Sequence, residues 1–293
     1  MSFTNSTTTS DSSASKQTSK RVRRKLVIVG WILILGVIVG SGLDRSPPDF
    51  TKELKLEGAI SGKPLDSPTL KVASFNIHGG VGLDGQKDLS RIALLLQGFD
   101  FVGMYEVHNQ SFGFNDNMAK EIGQKLGMAS TFSATEQRWW HDHFGNALLT
   151  KTPFLNLQRI PLAGTQKKKY RNAILSSFLY QGKRVNLICV HIDRVQDRKR
   201  QLQKVIQLFL SLNAPAILMG DFNSNGDDPQ IRQLLEETGV VDCIGYAAGD
   251  KKVPSRVDWI FSRGFHCKNA KLVENNASDH PLVWAELELL EEE

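Results

Sequence analysis

The chain has 293 residues, 36 Lys and Arg against 31 Asp and Glu, and 41% hydrophobic residues. That is enough for one large domain with a sizeable core, and it excludes a chain that never folds. The net charge of +5 is not spread over the molecule: residues 1–43 hold six bases and one acid, and residues 44–293 hold thirty of each. The basic excess is therefore no argument for nucleic-acid binding by the main domain.

Residues 1–25 read as a disordered basic tail, rich in Ser, Thr, Asn and Lys and ending in Lys20-Arg21-Val22-Arg23-Arg24-Lys25. The next 18 residues, 26–43, carry no charge and show no polar face. As a helix they would be about 27 Å long, close to the thickness of a bilayer's hydrocarbon. We expect a transmembrane helix or signal anchor. The long segment before it favours a retained anchor over a cleaved signal peptide, although Gly40, Ser41 and Gly42 would suit a signal peptidase. The basic cluster predicts a cytoplasmic N-terminus, which puts the main domain in periplasm, lumen or extracellular space.

Residues 44–69, with Pro47, Pro48, Pro64 and Pro68, read as a linker, and the domain spans 70–293. Strand-like runs follow at 70–75, 101–105, 147–150, 174–180, 185–191, 216–219, 257–261 and 281–287. Helix-like runs lie at 88–96, 117–126, 197–212 and 229–237. The third has an apolar stripe of Leu202, Val205, Ile206 and Phe209. Gln181-Gly182-Lys183 joins two strand runs as a hairpin. Hairpins mixed with crossovers predict an α/β sandwich rather than a fully parallel sheet. Of the cysteines, Cys189 reads as a buried small hydrophobe, while Cys243 and Cys267 are candidates for pairing in an oxidising compartment.

Polar residues recur where these runs end. Asn76 precedes His78-Gly79-Gly80, Glu106 closes the next strand, and Asp279 precedes His280. A hard divalent cation such as Mg²⁺ takes carboxylate and amide oxygens of this kind. Asp221 and Asn223, at i and i+2, point to one side with Phe222 to the other, and such a pair holds a water or a phosphoryl oxygen between them. Taken singly, each such residue has a bland alternative as a turn cap or Asx turn. Asp258 stands alone in an apolar run, where a carboxylate is costly without a partner. We expect that partner to be His280, as in a general acid–base pair. His191 ends its own strand. Gly145-Asn146-Ala147 completes the set.

Together these motifs resemble the endonuclease/exonuclease/phosphatase superfamily, in the family's order, from about residue 70 to 287. The resemblance implies a DNase I-like fold, a four-layer sandwich of two mixed β-sheets flanked by helices. It casts Asn76, Glu106 and Asp279 as the metal site, with Mg²⁺ or Mn²⁺ as cofactor. Asp221 and Asn223 become the pair that positions water and a phosphate oxygen. His280, oriented by Asp258, becomes the general base or phosphate stabiliser, and His191 a contact to the scissile phosphate. Arg200 and Gln203 fit a structural Arg-x-x-Gln pattern on the helix that follows. Two departures stand out. Tyr105 replaces the Gln that many relatives carry before the metal-site Glu, and Asp193 stands where abasic-site enzymes have Tyr.

The expected activity is a membrane-anchored, divalent-metal-dependent phosphoesterase that hydrolyses phosphodiester bonds, as a nuclease acting on nucleic acid, with a phospholipid-headgroup phosphodiesterase or phosphatase as the alternative; no protein partner is expected. Lys167-Lys168-Lys169-Tyr170-Arg171 is a candidate phosphate-binding loop for a nuclease. Trp139-Trp140 is a candidate for dipping into a membrane interface. The competing readings are an inactive tethered binding module and a zinc hydrolase built on His141, His143 and His191, which leaves Asn76, Glu106 and Asp279 unexplained.

Overall fold

The computed structural model describes residues 11–60, 65–109, 117–138, 141–162, 170–249, 251 and 253–291. The chain divides after Asp44 into two compact units. In the first, helix α1 runs Asp11–Leu43, and its stretch Ser19–Leu43 is long and apolar enough to cross a membrane, with a mean hydropathy of 2.6 over its most apolar 18 residues. The basic residues 20–25, expected to belong to a disordered tail, are helical. Extending a formed helix through good helix formers such as Lys, Arg and Gln avoids a second nucleation.

Among its described residues the second unit holds two six-stranded sheets. Its strands are β1 (Leu70–Asn76), β2 (Phe101–His108), β3 (Ala129–Arg138), β4 (His141–Thr150), β5 (Asn156–Pro161), β6 (Asn172–Tyr180), β7 (Lys183–His191), β8 (Ala216–Asp221), β9 (Val241–Asp242), β10 (Asp258–Arg263), β11 (Phe265–Val273) and β12 (Leu282–Leu289). The first sheet runs β11-β12-β1-β2-β4-β3 and the second β5-β6-β7-β8-β10-β9. Both are mixed, with parallel pairs β1·β2 and β7·β8 at their centres. Helices α2 (Leu89–Leu95) and α3 (Met118–Leu126) pack on the outer face of the first sheet. Helices α4 (Arg198–Ser211) and α5 (Pro229–Glu236) cover the second.

Three apolar layers hold this together, as the period of two in the strands dictates. Leu70 and Val72 of β1 face inward and meet Ile217 and Met219 of β8 between the sheets. Ala73 and Phe75, on the alternate positions, face outward with Ile92 and Ile122 of the covering helices. The stripe on α4 behaves likewise: Leu202, Val205 and Phe209 are buried against β8 and β10. Asp88, Asn117 and Asp228 cap α2, α3 and α5 with side-chain oxygens. The β6–β7 turn takes positive φ at Gln181 and Gly182, the backbone of a two-residue hairpin loop. Cys243 and Cys267 are free buried thiols, as is Cys189.

Of the segment 44–69, expected to be a linker, the described residues 45–60 and 65–69 touch the domain at three bridges. Ser46 bridges Gln137 and Glu57 bridges Ser130, both on the free edge of β3, and Leu65 bridges Tyr180 at the end of β6. An unpaired edge strand offers a row of backbone donors and acceptors, and this strap takes some of them up.

Candidate active site

The parallel pairs β1·β2 and β7·β8 direct four strand ends to one end of the sandwich. β1 ends at Asn76, β7 at His191 and β8 at Asp221, with His191 in register with Asp221. β10 begins there with Asp258, directly opposite Asp221. Gly220 allows β7 and β8 to approach, because a Cβ at that position would overlap the Val190 carbonyl. Glu106 sits where the pairing of β2 with β4 shifts between Met104 and Val107, and it adopts φ 57. A bulge re-aims a side chain, and left-handed backbone at a glutamate costs of order 1 kcal/mol. Asn223 (φ 47) and His78 (φ 47) carry the same strain beside the same cleft.

Asp221 is the hub. Its Oδ2 accepts from Asn76 Nδ2 at 3.1 Å and lies 3.4 Å from His191 Nε2 and 3.8 Å from His280 Nε2. Its Oδ1 accepts from the Asn223 amide at 2.9 Å, and Asn223 Nδ2 donates to the Ile192 carbonyl at 2.9 Å. His280 Nδ1 lies 2.8 Å from Asp258 Oδ2, the expected pair. His191 Nε2 is 4.0 Å from Glu106 Oε1. Ser278 Oγ donates to the Asn76 carbonyl at 2.7 Å, which fastens the His280 loop to β1.

Charge follows from burial. Burial, with the neighbouring Asp258 charge, lifts Asp221 to about 7 against the pull of His280 and the Asn223 and Asn76 hydrogen bonds. Burial also raises Asp258, which the His280 contact opposes. Burial opposes the His280 imidazolium, but Asp258, Asp221 and Asp279 together hold it up at about 9. His191 is pushed well down by burial, then by Arg171 and His280, so it stays neutral.

Asn76, Glu106, His191, Asp221, Asn223, Asp258 and His280 thus share one cleft. Asp279 sits at its margin, with Oδ1 3.7 Å from His78 Nδ1. The donor chemistry fits a hard divalent cation. Glu106 and Asp279 keep their carboxylates partly in water, and four carboxylates converge where the positive groups at hand are His280 and Arg171. Asn76 is more committed than expected, since its Oδ1 already accepts from the His78 amide at 3.1 Å. Its second lone pair is what remains for a cation. Asp221, Asp258 and His280 also lie within metal-binding distance of one another. Within that triad His280 and Asp258 make the 2.8 Å contact.

Other expectations resolve differently. Arg200 and Gln203 are exposed; the buried residue is Gln201, whose Oε1 accepts from the Asp193 amide at 2.8 Å. His141 is exposed and His143 packs edge-on against His108, so neither joins His191. Residues 139–140 and 167–169 lie outside the described residues. Two residues singled out in the sequence make contacts it did not foresee. Arg171, read as the end of a candidate phosphate-binding loop, is half-buried in the field of Asp193, Glu106, Glu136 and Asp221. Tyr105 reaches across the core, and its hydroxyl donates to the Met219 carbonyl at 3.1 Å.

Residues 73–280 match the Endonuclease/Exonuclease/phosphatase family. The chain belongs to that family, whose members are hydrolases acting on phosphoesters and are generally dependent on divalent metals. Solved structures agree on the fold. An endonuclease/exonuclease/phosphatase from Beutenbergia cavernae is 20% identical with a TM-score of 0.61, covering 76% of this chain and 72% of its own. The human nocturnin catalytic domain with a bound sulfate anion is 18% identical at 0.61, covering 84% of this chain and all of its own. A mannosyl-6-phosphatase from Bacteroides thetaiotaomicron is 20% identical at 0.57, covering 74% and 99%. No curated protein sequence matches the chain.

Proposed function

We propose that this protein hydrolyses phosphodiester bonds with Mg²⁺ or Mn²⁺ bound at Glu106, Asp279 and Asn76, from a domain held at a membrane by α1. The observation that carries the reading is the Asp221 hub, within reach of two imidazoles, one of them charge-coupled to Asp258. A bound cation would neutralise charge on the phosphoryl oxygens. Asp221, poised at about 7, orients the attacking water and takes its proton. His280 remains an imidazolium to about 9, and with the neutral His191 and the Asn223 amide it meets charge developing on the phosphoryl oxygens. Arg171 adds a fixed positive charge behind His191.

The substrate is a phosphodiester of nucleic acid or of a lipid headgroup. The apolar Ser19–Leu43 stretch supports an anchor, and the basic residues ahead of it support a cytoplasmic N-terminus with the catalytic domain on the other side. Bis-p-nitrophenyl phosphate tests the core claim without deciding the substrate. Chelation should abolish turnover and Mg²⁺ should restore it. Glu106→Ala and His280→Ala should each lose roughly 100-fold or more. Near-normal rates from either variant, or restoration by Zn²⁺ and not Mg²⁺, would overturn the assignment.

A further inference from the structure

One edge of each sheet meets the other at a short helix. β9, the outermost strand of the second sheet, runs straight into α6 (Cys243–Ala248), and α6 packs on β11, the outermost strand of the first. Both sides bring a cysteine into that contact. Cys243 opens α6 and is 0% exposed; Cys267 lies on β11 and is 3% exposed. Cys267 Sγ lies 3.5 Å from the Cys243 carbonyl oxygen and 3.7 Å from that of Asn269, while Cys243 Sγ lies 3.6 Å from Ser262 Oγ on β10. A hydrogen bond between the thiols joins the pair.

The two thiols are unlike. The Cys243 contact holds Cys267 below the ordinary thiol range against its burial, whereas the Cys267 contact and then burial hold Cys243 well above it. The thiolate is the nucleophile, so Cys267 is the attacking group and Cys243 the resolving one. Access falls on the same residue. The register of β11 against β12 shifts between Cys267 and Asn269, and Lys268 there is exposed. A bulge on an outermost strand interrupts the ladder, and such a place opens locally before the core does. Cys189 is the contrast: it is fully buried in β7, in the middle of its sheet, with its thiol pushed up by burial.

We propose that Cys243 and Cys267 form a redox site, oxidised by a low-molecular-weight disulfide to a crosslink that ties an edge of one sheet to an edge of the other. The site stands independently of any reading of the catalytic cleft. The Cys267 thiolate bonds to one sulfur of the disulfide, whose S–S bond breaks and releases one thiolate. The Cys243 sulfur then bonds to that of Cys267, and the second thiolate leaves. The protons of the pair pass to the two thiolates released; the cysteines lose two electrons and the disulfide gains them. The crosslink closes a loop of about 25 residues, from 243 to 267, which restricts the unfolded chain. That loop carries one wall of the cleft. Asp242, beside Cys243, accepts from the Ile244 amide at 3.2 Å and from Arg256. Arg256 stacks on Trp259 at 3.9 Å and, with His280, lines an open cleft of about 780 Å³. Oxidation therefore braces the segment that holds Arg256 in place.

The test treats the full chain in detergent with 2-hydroxyethyl disulfide. Its intact mass should fall by about 2 Da, and a digest made without reductant should contain a linked peptide joining Cys243 to Cys267, which dithiothreitol separates. The oxidised protein should melt roughly 10 °C above the reduced one. Cys189→Ala should keep the linked peptide, and Cys243→Ala should leave Cys267 carrying a mixed disulfide. The mass and peptide readouts use the unmutated chain, so they stand whether or not a variant folds. An unchanged mass, a link that includes Cys189, a lasting adduct on Cys267 without the link to Cys243, or an oxidised protein that melts no higher than the reduced one would each overturn the proposal.

Discussion

The sheet containing β1 and β12 delivers its acids to the cleft still open to water: Glu106 is 31% exposed and Asp279 51%. The sheet containing β8 and β10 delivers Asp221 and Asp258 at 1% and 2%. Identical functional groups therefore meet very different costs. A hydrated carboxylate keeps its charge cheaply and is available to a cation. A buried one keeps its charge only through partners, and its proton affinity rises. Burial alone separates groups suited to holding a cation from groups suited to moving a proton. The sheets are also stitched across the cleft, by Asn76 to Asp221 and by His280 to Asp258, so neither set stands without the other.

The largest expected effect comes from breaking the buried set. Asp258→Asn keeps the shape but replaces the carboxylate that orients and charges His280 by a neutral amide. The turnover number for bis-p-nitrophenyl phosphate should drop about 10²- to 10⁴-fold. Mg²⁺ affinity by calorimetry should change by less than about tenfold, since one neighbouring charge is removed and no proposed ligand is lost. Glu106→Gln should do the reverse in emphasis and lose Mg²⁺ affinity first. If both variants weaken the cation equally, the division between the sheets is wrong.

The pH profile sharpens the same contrast at about tenfold per unit. Asp221 is raised above its ordinary value to about 7, so below that pH it binds a proton and the rate falls toward acid. His280 is raised to about 9, so its imidazolium persists at neutral pH and is lost as pH climbs through that value. The profile of kcat/KM should be bell-shaped between these limbs. In Asp258→Asn the alkaline limb should move to lower pH, because the negative charge that favours the imidazolium is gone. An unmoved limb would detach His280 from Asp258.

What could be read in advance divides along lines of burial. The runs at 70–75, 185–191 and 216–219 are apolar on both faces because they lie mid-sheet, and they were legible with the polar residues at their tips. β3 was not, because Ser130, Thr131, Ser133 and Thr135 are interspersed with only Ala129, Phe132 and Ala134 and give little periodic contrast. β11 hides Lys268 and Asn269 at a bulge, which breaks its alternation. The strap has no periodicity, and its prolines read as a linker. It is ordered by the β3 edge, whose bridging residues lie 91 (Ser46 to Gln137) and 73 (Glu57 to Ser130) positions away in sequence. In the site, Asp258 was legible because a lone acid in an apolar run demands a partner. Arg171 was legible only as the end of a candidate phosphate-binding loop, because the fold alone brings Asp193, Glu106, Glu136 and Asp221 into its field.

Tyr105→Phe is the mildest of these changes and tests what lies beneath the cleft. The Tyr105 hydroxyl donates to the Met219 carbonyl of the opposite sheet at 3.1 Å and lies 3.3 Å from Ser74 Oγ, all fully buried. Phenylalanine fills the same space but leaves both partners short of a contact, which costs about 1–3 kcal/mol. In a domain of this size that is a fall of several degrees in Tm. The stitches Asn76–Asp221 and His280–Asp258 remain, so kcat should stay within about tenfold of the parent, well short of the effect of Asp258→Asn. A loss of rate as large as that of Asp258→Asn, with Tm unchanged, would mean that Tyr105 sets the aim of Glu106 rather than the stability of the core. The contrast between the two sheets would then reach below the cleft floor into the strand that carries the cation site.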